Sequence, residues 1–422
     1  MFPARNILIE LISIVICGVA IGLLMAIVAN VFVQTAVIAN EYRTTLSWLE
    51  INFGGNSYSL SSIASLLLAA TLITLLRKWI NIRDWAGPAD SIYAAHSENA
   101  STDTKKGLGS TLAALIVTSG GGSVGQYGPL VHFGSTIGLF VKNYFHLRMS
   151  SDIFIGCGVA AAISAGFNAP LAGVIFAHEA ILRHFSLRAI APIFIASISA
   201  SAFDEYFFGA TKNMFDLSQA APPLNDILPI FIVLGPIFAF VAIAFMYSLR
   251  MTSTFAARSG RYRPLLPFVA ALICGSVGVI FPEILGLGIE PINELIAGNI
   301  SFGKVGFLLI AKICMTALCL GFGLFGGVFS PALFIGVSIG SLAATSLLFF
   351  GKMPVTKSLP DFWYNTPNLH MCSIKDFYQF CDKRGIKMNR IIGINNEKTS
   401  SINGVNLEMK NLLSEVGMFL IS

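Results

Sequence analysis

The sequence has few charged residues. Only 12% of its 422 residues are Asp, Glu, Lys or Arg, whereas 55% are hydrophobic, and the mean hydropathy is +0.74. Soluble domains are about one-quarter charged, so a surface of ordinary composition in contact with water is excluded. Apolar runs recur from residue 6 to residue 350, many close to the roughly 20 residues that span a bilayer. We therefore predict an all-α, multi-pass integral membrane protein. Its expected location is the cell membrane, either the inner or the plasma membrane.

The sequence also lacks the spacings that indicate a metal site or a disulfide framework. Seven cysteines are present, and most lie inside apolar runs, where cysteine behaves as a small hydrophobic residue: Cys17, Cys157, Cys274, Cys314, Cys319, Cys372 and Cys381. His178-Glu179 resembles the start of a zinc-protease motif, but residue 182 is Leu where that motif needs His. We therefore expect no metal and no enzyme activity.

Nor do the basic residues form a nucleic-acid site. The net charge is +5, but Lys and Arg are scattered, as in loops that face anionic lipid. The run Gly321-Phe-Gly-Leu-Phe-Gly326 matches a dinucleotide-binding pattern without the strand–helix–strand context that the pattern requires. No nucleic-acid partner and no cofactor are expected.

Several apolar segments are too short to cross a bilayer and begin or end at Gly or Pro. Broken helices at membrane depth are tolerated only where they line a cavity or are buried in protein, so these segments indicate a transport pathway. The predicted segments are residues 7–37, 58–76, 107–118, 129–141, 153–165, 170–182, 189–208, 227–247, 264–281, 305–320 and 331–350.

A weak internal repeat supports this interpretation. The window that begins with Gly125-Gln-Tyr-Gly-Pro129 aligns without gaps on the one that begins with Gly327-Val-Phe-Ser-Pro331, at an offset of 202 residues. Five of fourteen positions are identical, and Tyr127 aligns with Phe329. Interrupted segments at corresponding positions of two halves point to a binding site at the midplane of an inverted repeat.

The second repeat is predicted to be cut short. The offset places a partner for residues 166–173 near residue 368, where the sequence is polar and unrelated, and the apolar runs stop at about Gly351. We therefore predict a transmembrane anion-pathway domain over residues 1–350. It contains a first repeat at about 7–208 and an incomplete second repeat at about 226–350. Residues 351–422 form an atypical polar tail.

The windows place Pro129 and Pro331 at the first helical position, where the missing N–H costs nothing. Helices that begin there would leave backbone N–H groups unpaired at their N-termini. The helix dipole adds about half a positive charge there, and several such ends meeting at one point would hold a small anion without a fixed cation. Weak binding of this kind permits release, which conduction requires. The sequence therefore predicts an anion site formed by helix dipoles.

The motifs resemble the chloride channel (CLC) family of anion channels and proton-coupled anion antiporters. The resemblance runs from about residue 7 to residue 350. It implies an inverted-repeat bundle of short and broken helices, and a homodimer with one pathway for chloride or a similar small anion in each subunit. The residues that carry it are 125–129, 166–179 (Gly-Phe-Asn-Ala-Pro-Leu-Ala-Gly-Val-Ile-Phe-Ala-His-Glu), 327–331, 281–288 (Phe-Pro-Glu-Ile-Leu-Gly-Leu-Gly) and 297–299.

Three departures from the family pattern bear on mechanism. Tyr127 stands where the family usually has a glutamate that plugs the pathway and carries protons in antiporters. The second proton glutamate of the antiporters aligns with Ala180, although a slip of one residue would place it on Glu179. The serine motif is replaced by Gly87-Pro-Ala-Asp-Ser91, in which Asp90 is expected to cap the following helix. These departures favour passive conduction.

The predicted site has Tyr127 as its gate and Glu179 as a candidate internal acid, with pairing of Glu179 to Arg183 an open alternative. His132 and Lys312 are expected to have structural roles. Two other functions stay open: a secondary transporter, either proton-coupled or fluoride-selective, and a truncated or frameshifted product that conducts nothing. The predicted pore residues are Gly125, Gln126, Tyr127, Gly128, Pro129, Gly327, Val328, Phe329, Ser330, Pro331 and Ser91.

Overall fold

The structure is a computed structural model. It describes residues 4–45, 50–53, 56–82, 84–97, 102–145, 150–209, 224–349, 388–395, 398–402 and 416–421. The predicted tail, residues 351–422, lies outside the described residues except for the last three of these ranges.

Helices make up nearly all of the described membrane part, which confirms the all-α prediction. Many are short, and a single π-helical turn, Ala177–Leu182, continues the seven residues of α7. The α-helices are α1 (Ala4–Thr45), α2 (Ser61–Ile80), α3 (Pro88–His96), α4 (Thr104–Ser119), α5 (Tyr127–Tyr144), α6 (Ser151–Phe167), α7 (Pro170–Phe176), α8 (Leu187–Phe208), α9 (Leu224–Arg258), α10 (Leu266–Ile280), α11 (Ile289–Ile296), α12 (Phe302–Gly321) and α13 (Phe329–Phe349).

Six helical segments of the described residues are long and apolar enough to cross a bilayer. Two shorter apolar helices accompany them, Ser151–Phe167 and Pro170–Leu182. The protein is therefore a multi-pass integral membrane protein. The six segments are Ile12–Arg43, Ser61–Ile80, Ile230–Arg258, Gly260–Ile280, Phe302–Gly321 and Phe329–Ser346.

The helix boundaries repeat at the predicted offset. Helices α4 and α12 end at Ser119 and Gly321, and α5 and α13 begin at Tyr127 and Phe329, each pair 202 residues apart. Between them, Gly121 and Gly323 occupy equivalent positions with φ of +91° and +97°. Such φ values are readily adopted only by glycine, so both halves make the same turn.

In the described residues, the end of the second half differs from the end of the first. The described residues beyond α13 contain no helix, so α6, α7 and α8 have no helical counterpart there. Instead, β3 (Met388–Asn395), β4 (Lys398–Ile402) and β5 (Val416–Ile421) form an antiparallel sheet in the order β4-β3-β5. A second small sheet, the hairpin of β1 (Glu50–Phe53) and β2 (Asn56–Ser59), follows α1.

The chain divides into two packed units. The first comprises Met1–Asp216, Ala242–Glu294 and Phe307–Ile335, and contains the apolar core formed by α1, α5, α6 and α8. The second comprises Leu217–Val241, Leu295–Gly306 and Gly336–Ser422.

Glycines allow α5 and α6 to pack with their backbones in contact. A Cβ at Gly134 would lie 2.2 Å from the carbonyl oxygen of Gly158, and a Cβ at Gly138 would lie even closer to that of Phe154. Small residues spaced by four have this role in membrane helices, where packing supplies much of the association energy. The α5–α6 contact therefore depends on the absence of side chains at these positions.

We expect Gly134→Ala to destabilise the protein by about 1–3 kcal/mol, because the added methyl group must push the two backbones apart. Thermal unfolding in detergent measures the effect. Gly235→Ala is the matched control, since a Cβ there meets nothing within 4 Å and alanine favours a helix. Equal melting temperatures for the two variants would show that the close packing is unimportant.

Candidate functional site

A pair of equivalent glycines joins the two halves by backbone hydrogen bonds. The N–H of Gly125 donates to the carbonyl oxygen of Gly327 at 2.6 Å, and the N–H of Gly327 donates back to Gly125 at 2.5 Å. Because the two residues are repeat equivalents, this reciprocal antiparallel bridge joins each position to its own counterpart. A local two-fold axis therefore passes through the bridge, as an inverted repeat requires.

The start of α5 and the start of α13 lie against each other beside the bridge. A Cβ at Gly327 would lie 2.8 Å from the backbone nitrogen of Gly128, and one at Gly128 would lie 3.1 Å from the Cα of Gly327. A Cβ at Gly125 would lie 3.0 Å from the nitrogen and Oγ of Ser330. The predicted convergence of the two helix tips is present.

The helices begin earlier than the sequence suggested. We expected Pro129 and Pro331 at the first helical position, but each is the third residue of its helix. The missing N–H still costs nothing there, because first-turn N–H groups have no acceptor in their own helix. The N–H groups of Gly128, Val328, Phe329 and Ser330 donate to no backbone acceptor in the described part of the chain.

The N-terminus of α3 also lies beside the start of α5. The Cδ and Cγ of Pro88 would lie 3.6 Å from a Cβ at Gly128. Asp90 accepts the N–H of Gly87 at 2.8 Å and the Nζ of Lys106 at 3.2 Å, so Asp90 caps its own helix. Burial alone would raise the pKa of the Asp90 carboxyl. The hydrogen bonds from Gly87 and Lys106 have a larger opposite effect, so the net pKa is lowered. The ionised Asp90 offsets part of the positive end of α3.

Tyr127 is buried at the tip of α5 and held on three sides. Its hydroxyl donates to the carbonyl oxygen of Gly166 at 3.0 Å. Its ring stacks on Phe167 with centroids 3.8 Å apart, and meets Phe329 edge-on at 5.9 Å. Phe167 and Phe329 are themselves 5.2 Å apart. We call Tyr127, Phe167 and Phe329 the aromatic cluster; it contains residues from both repeats.

The Gln126 side chain is fully buried and lies beside the Tyr127 hydroxyl. Neither its Nε2 nor its Oε1 has a partner with the distance and angles of a hydrogen bond within the described residues. A buried amide without a hydrogen bond lowers the free energy of unfolding by about 1–3 kcal/mol. This neutral polar group sits one residue from the bridge, where an anion could accept its N–H.

Comparison with known proteins agrees with this geometry. A model of the family described as "Voltage gated chloride channel" matches residues 68–360, more than half of the chain. The chain belongs to this family. The tail gives a different match: the model described as "Methionine biosynthesis protein MetW" matches residues 343–421, a stretch that includes all three strands of the C-terminal sheet.

Several curated proteins of the chloride channel family are similar to this chain. One named "H(+)/Cl(-) exchange transporter ClcA" from Yersinia pestis is 34% identical over 254 residues, which is 58% of this chain and 51% of that protein. A protein of the same name from Citrobacter koseri is 33% identical over 233 residues, 53% of this chain and 49% of that protein. The chain thus spans about half the length of these relatives.

Solved structures share the fold. A "CLC-type fluoride/proton antiporter" has a TM-score of 0.66 at 22% identity, and the match covers 82% of this chain and 87% of that chain. A "slow cyanobacterial Cl-/H+ antiporter" has a TM-score of 0.69 at 20% identity, with 81% of each chain covered. These likenesses confirm the chloride channel fold.

Two residues that the sequence suggested for chloride channel function lie elsewhere. Ser91 is fully buried, and its hydroxyl bonds to His132 Nδ1 at 3.0 Å and Ser135 Oγ at 2.8 Å, so it joins α3 to α5 and nothing here supports anion contact. Glu179 is exposed on the π-helical turn, and none of the ion pairs found in the described residues joins it to Arg183. The proposed pairing is not formed.

Sequence analysis missed the partners of Tyr127. Gly166 and Phe167 were noted only as part of a family motif, and no signal in the sequence connects them to residue 127.

For Lys312 the expectation of an interior structural role is confirmed. Its Nζ is fully buried and donates to the carbonyl oxygens of Ile284 at 2.9 Å and Gly286 at 3.2 Å.

We expect Gly327→Ala to lower the free energy of unfolding by roughly 1–3 kcal/mol, because its methyl group would enter the space of the Gly128 nitrogen. Denaturation in detergent, followed by tryptophan fluorescence, measures the loss. Gly336→Ala, within α13, is the control because a Cβ there meets nothing within 4 Å. A loss of the same size in both variants would contradict the close approach.

Proposed function

We propose that this chain conducts chloride or a similar small anion passively across the membrane, through a pathway that passes between the tips of α5 and α13. The observation that carries the proposal is the reciprocal bridge between Gly125 and Gly327. It supports the proposal because it brings two helix N-termini with unused N–H groups to one place. The transport role follows the family, and no catalytic role is proposed.

The binding strength expected of such a site suits conduction. A single helix N-terminus favours an anion by about 0.3–1 kcal/mol, and by up to about 2 kcal/mol when partly buried. Two such termini and the Gln126 amide would hold an anion, while none of the predicted pore residues is a Lys or Arg. An ion held by dipoles alone can leave, as steady flux requires.

Tyr127 is proposed as the gate. Its hydrogen bond to Gly166 contributes about 0.5–1.5 kcal/mol net, and its stacking with Phe167 contributes a similar amount beyond area burial. Losing both would cost a few kcal/mol, a barrier that thermal motion crosses readily. A phenol has an unperturbed pKa near 10 and stays neutral at physiological pH, so Tyr127 would block the path without carrying protons.

We expect Tyr127→Phe to raise anion efflux from liposomes about 2–10-fold, because it removes the roughly 0.5–1.5 kcal/mol of the Gly166 hydrogen bond and keeps the ring. Tyr127→Ala, which removes the ring as well, should raise efflux further. Efflux is read with a chloride electrode after a potassium ionophore is added.

Tyr93→Phe is the matched control, since it removes a hydroxyl from an exposed tyrosine and should leave efflux unchanged. Size-exclusion chromatography shows that each variant is folded. Folded wild-type and Tyr127→Ala proteins that both fail to pass chloride would overturn the conduction proposal. Equal efflux from all variants would overturn only the gate.

A proton-coupled exchanger is the second candidate, because the relatives from Yersinia pestis and Citrobacter koseri are named H(+)/Cl(-) exchange transporters. The residues of this chain favour the passive alternative, since Tyr127 and Ala180 replace both expected acids. The neighbour named a fluoride/proton antiporter makes fluoride a second anion to test.

A pH gradient distinguishes the two candidates. We expect liposomes with a proton gradient but equal chloride on both sides to show no uphill chloride movement, because the residue at the tip of α5, Tyr127, stays neutral at physiological pH. The same measurement is made with fluoride. Uphill movement of either anion, abolished by a protonophore, would replace the channel by an exchanger.

The third candidate, a product that conducts nothing, rests on the second repeat, for which the described residues beyond α13 show no helix. The match of residues 343–421 to the MetW model weighs against a simple frameshift, because an out-of-frame stretch would not match a family model. The homodimer and the location in the cell membrane stay predictions from the family resemblance. Cross-linking in native membranes would test the dimer.

A further inference from the structure

Basic side chains from distant parts of the sequence collect at one end of α2 and at the connection between α9 and α10. Arg77 and Lys78 lie in the last turn of α2, and Arg258 is the last residue of α9. Arg261 and Arg263 follow in the short helix before α10. We call these five residues the basic patch. All of them belong to the first unit, and three of the membrane spans begin or end beside the patch.

One carboxylate joins the two parts of the basic patch. The Oδ1 atom of Asp84 lies 3.4 Å from Nη2 of Arg263 and 3.9 Å from Nη2 of Arg77. A single carboxylate therefore serves two guanidinium groups. None of the ion pairs found among the described residues involves the other three cations of the patch. The patch thus has an excess of positive charge at the protein surface.

Two exposed aromatic side chains show at which depth of the membrane the basic patch lies. Trp79, in the last turn of α2, is 83% exposed, and Tyr262, between two arginines of the patch, is 63% exposed. The guanidinium of Arg261 lies 6.0 Å from the centroid of the Tyr262 ring. Trp and Tyr are enriched where membrane proteins meet the lipid headgroups. The patch therefore lies at headgroup level.

Next to the basic patch, α2 and α10 expose apolar side chains. On α2 these residues recur at intervals of three or four and so form one stripe that leads to Trp79. A phospholipid has the same division into a polar headgroup and apolar acyl chains. The exposed apolar residues are Leu68, Leu72 and Leu75 on α2, and Val269, Leu272 and Ile273 on α10.

The basic patch is confined to one face of the membrane, because α2 and α10 are antiparallel neighbours. A Cβ at Gly275 would lie 2.8 Å from the Cα of Ile63 near the start of α2, whereas Arg263 meets Asp84 beyond its end. Around the opposite ends of the two helices, residues 56–66 and 275–289 include no Lys or Arg. An excess of Lys and Arg marks the cytoplasmic side of a membrane protein, whose leaflet is rich in anionic lipid.

We propose that the basic patch binds the headgroup of an anionic phospholipid in the cytoplasmic leaflet, with the acyl chains against the apolar stripe of α2. Guanidinium groups match phosphate through paired N–H donors. Each Lys or Arg near an anionic membrane surface strengthens association by about fivefold. A zwitterionic lipid has the same phosphate but adds a cation, which the patch repels. The patch therefore distinguishes anionic from zwitterionic lipid.

Fluorescence quenching at Trp79 tests the proposal. Full-length protein is reconstituted into phosphatidylcholine vesicles that contain the same small fraction of either brominated phosphatidylglycerol or brominated phosphatidylcholine, since bromine quenches nearby tryptophan. Subtracting the signal of the Trp79→Phe variant isolates Trp79. We expect brominated phosphatidylglycerol to associate at least about fivefold more strongly than brominated phosphatidylcholine, and high salt to reduce this preference.

A double variant, Lys78→Gln with Arg261→Gln, tests the role of charge and leaves the contacts of Asp84 in place. We expect its preference for phosphatidylglycerol to fall at least about threefold, because two of the five cations are lost. The charge-conserving pair Lys78→Arg with Arg261→Lys should keep the preference. Arg188→Gln is the matched control, since it removes an exposed arginine on α8, outside the patch.

Size-exclusion chromatography shows that each variant is folded, and the wild-type comparison suffices if a variant is not. Equal quenching by the two brominated lipids in wild-type protein would overturn the proposal, as would an unchanged preference in the Lys78→Gln, Arg261→Gln variant. Loss of the preference on addition of inorganic phosphate, at an ionic strength matched with sodium chloride, would assign the patch to a soluble anion instead. None of these measurements uses anion flux, so their failure would leave the proposed conduction untouched.

Discussion

The arrangement of the pathway depends on one pair of backbone hydrogen bonds. Gly125 and Gly327 are equivalent positions of two repeats, and each donates to the other. In a low-dielectric interior such bonds are strong and expensive to leave unmade, so the pair fixes the distance between the starts of α5 and α13. The glycines that follow allow the two backbones to touch. Small shifts here would separate the N–H groups that the proposed site uses.

Charged side chains are kept away from the point where the helix tips meet. The point where the helix tips meet has neutral polar groups, with Gln126 and free N–H donors in place of a lysine or arginine. Arg43 and Lys312, the buried Lys and Arg residues of the described part of the first unit, lie on α1 and α12, and carbonyl oxygens accept from Lys312. Keeping full charges away from the proposed anion site would keep ion binding weak there, and Asp90 lowers the positive potential at the third tip, that of α3.

Much of this organisation could be predicted from the sequence because it follows local rules. The repeat at an offset of 202 residues predicted equivalent helix starts, which the structure confirms at Tyr127 and Phe329. What could not be predicted are contacts between distant segments. The stacking of Tyr127 on Phe167 and the hydrogen bond between Ser91 and His132 both arise from tertiary packing, which leaves no periodic signal.

The π-helical turn of residues 177–182 has a consequence for how this region can change. An α-helix advances by about 100° per residue, and a π-turn holds one residue more than an α-turn would. Here the wide turn buries His178 and exposes Glu179. Deleting a single residue would let the turn close to an α-helix, so that the side chains before it would keep their orientations. A change of one residue in chain length is therefore easier to accommodate at this turn than inside the α-helix that precedes it.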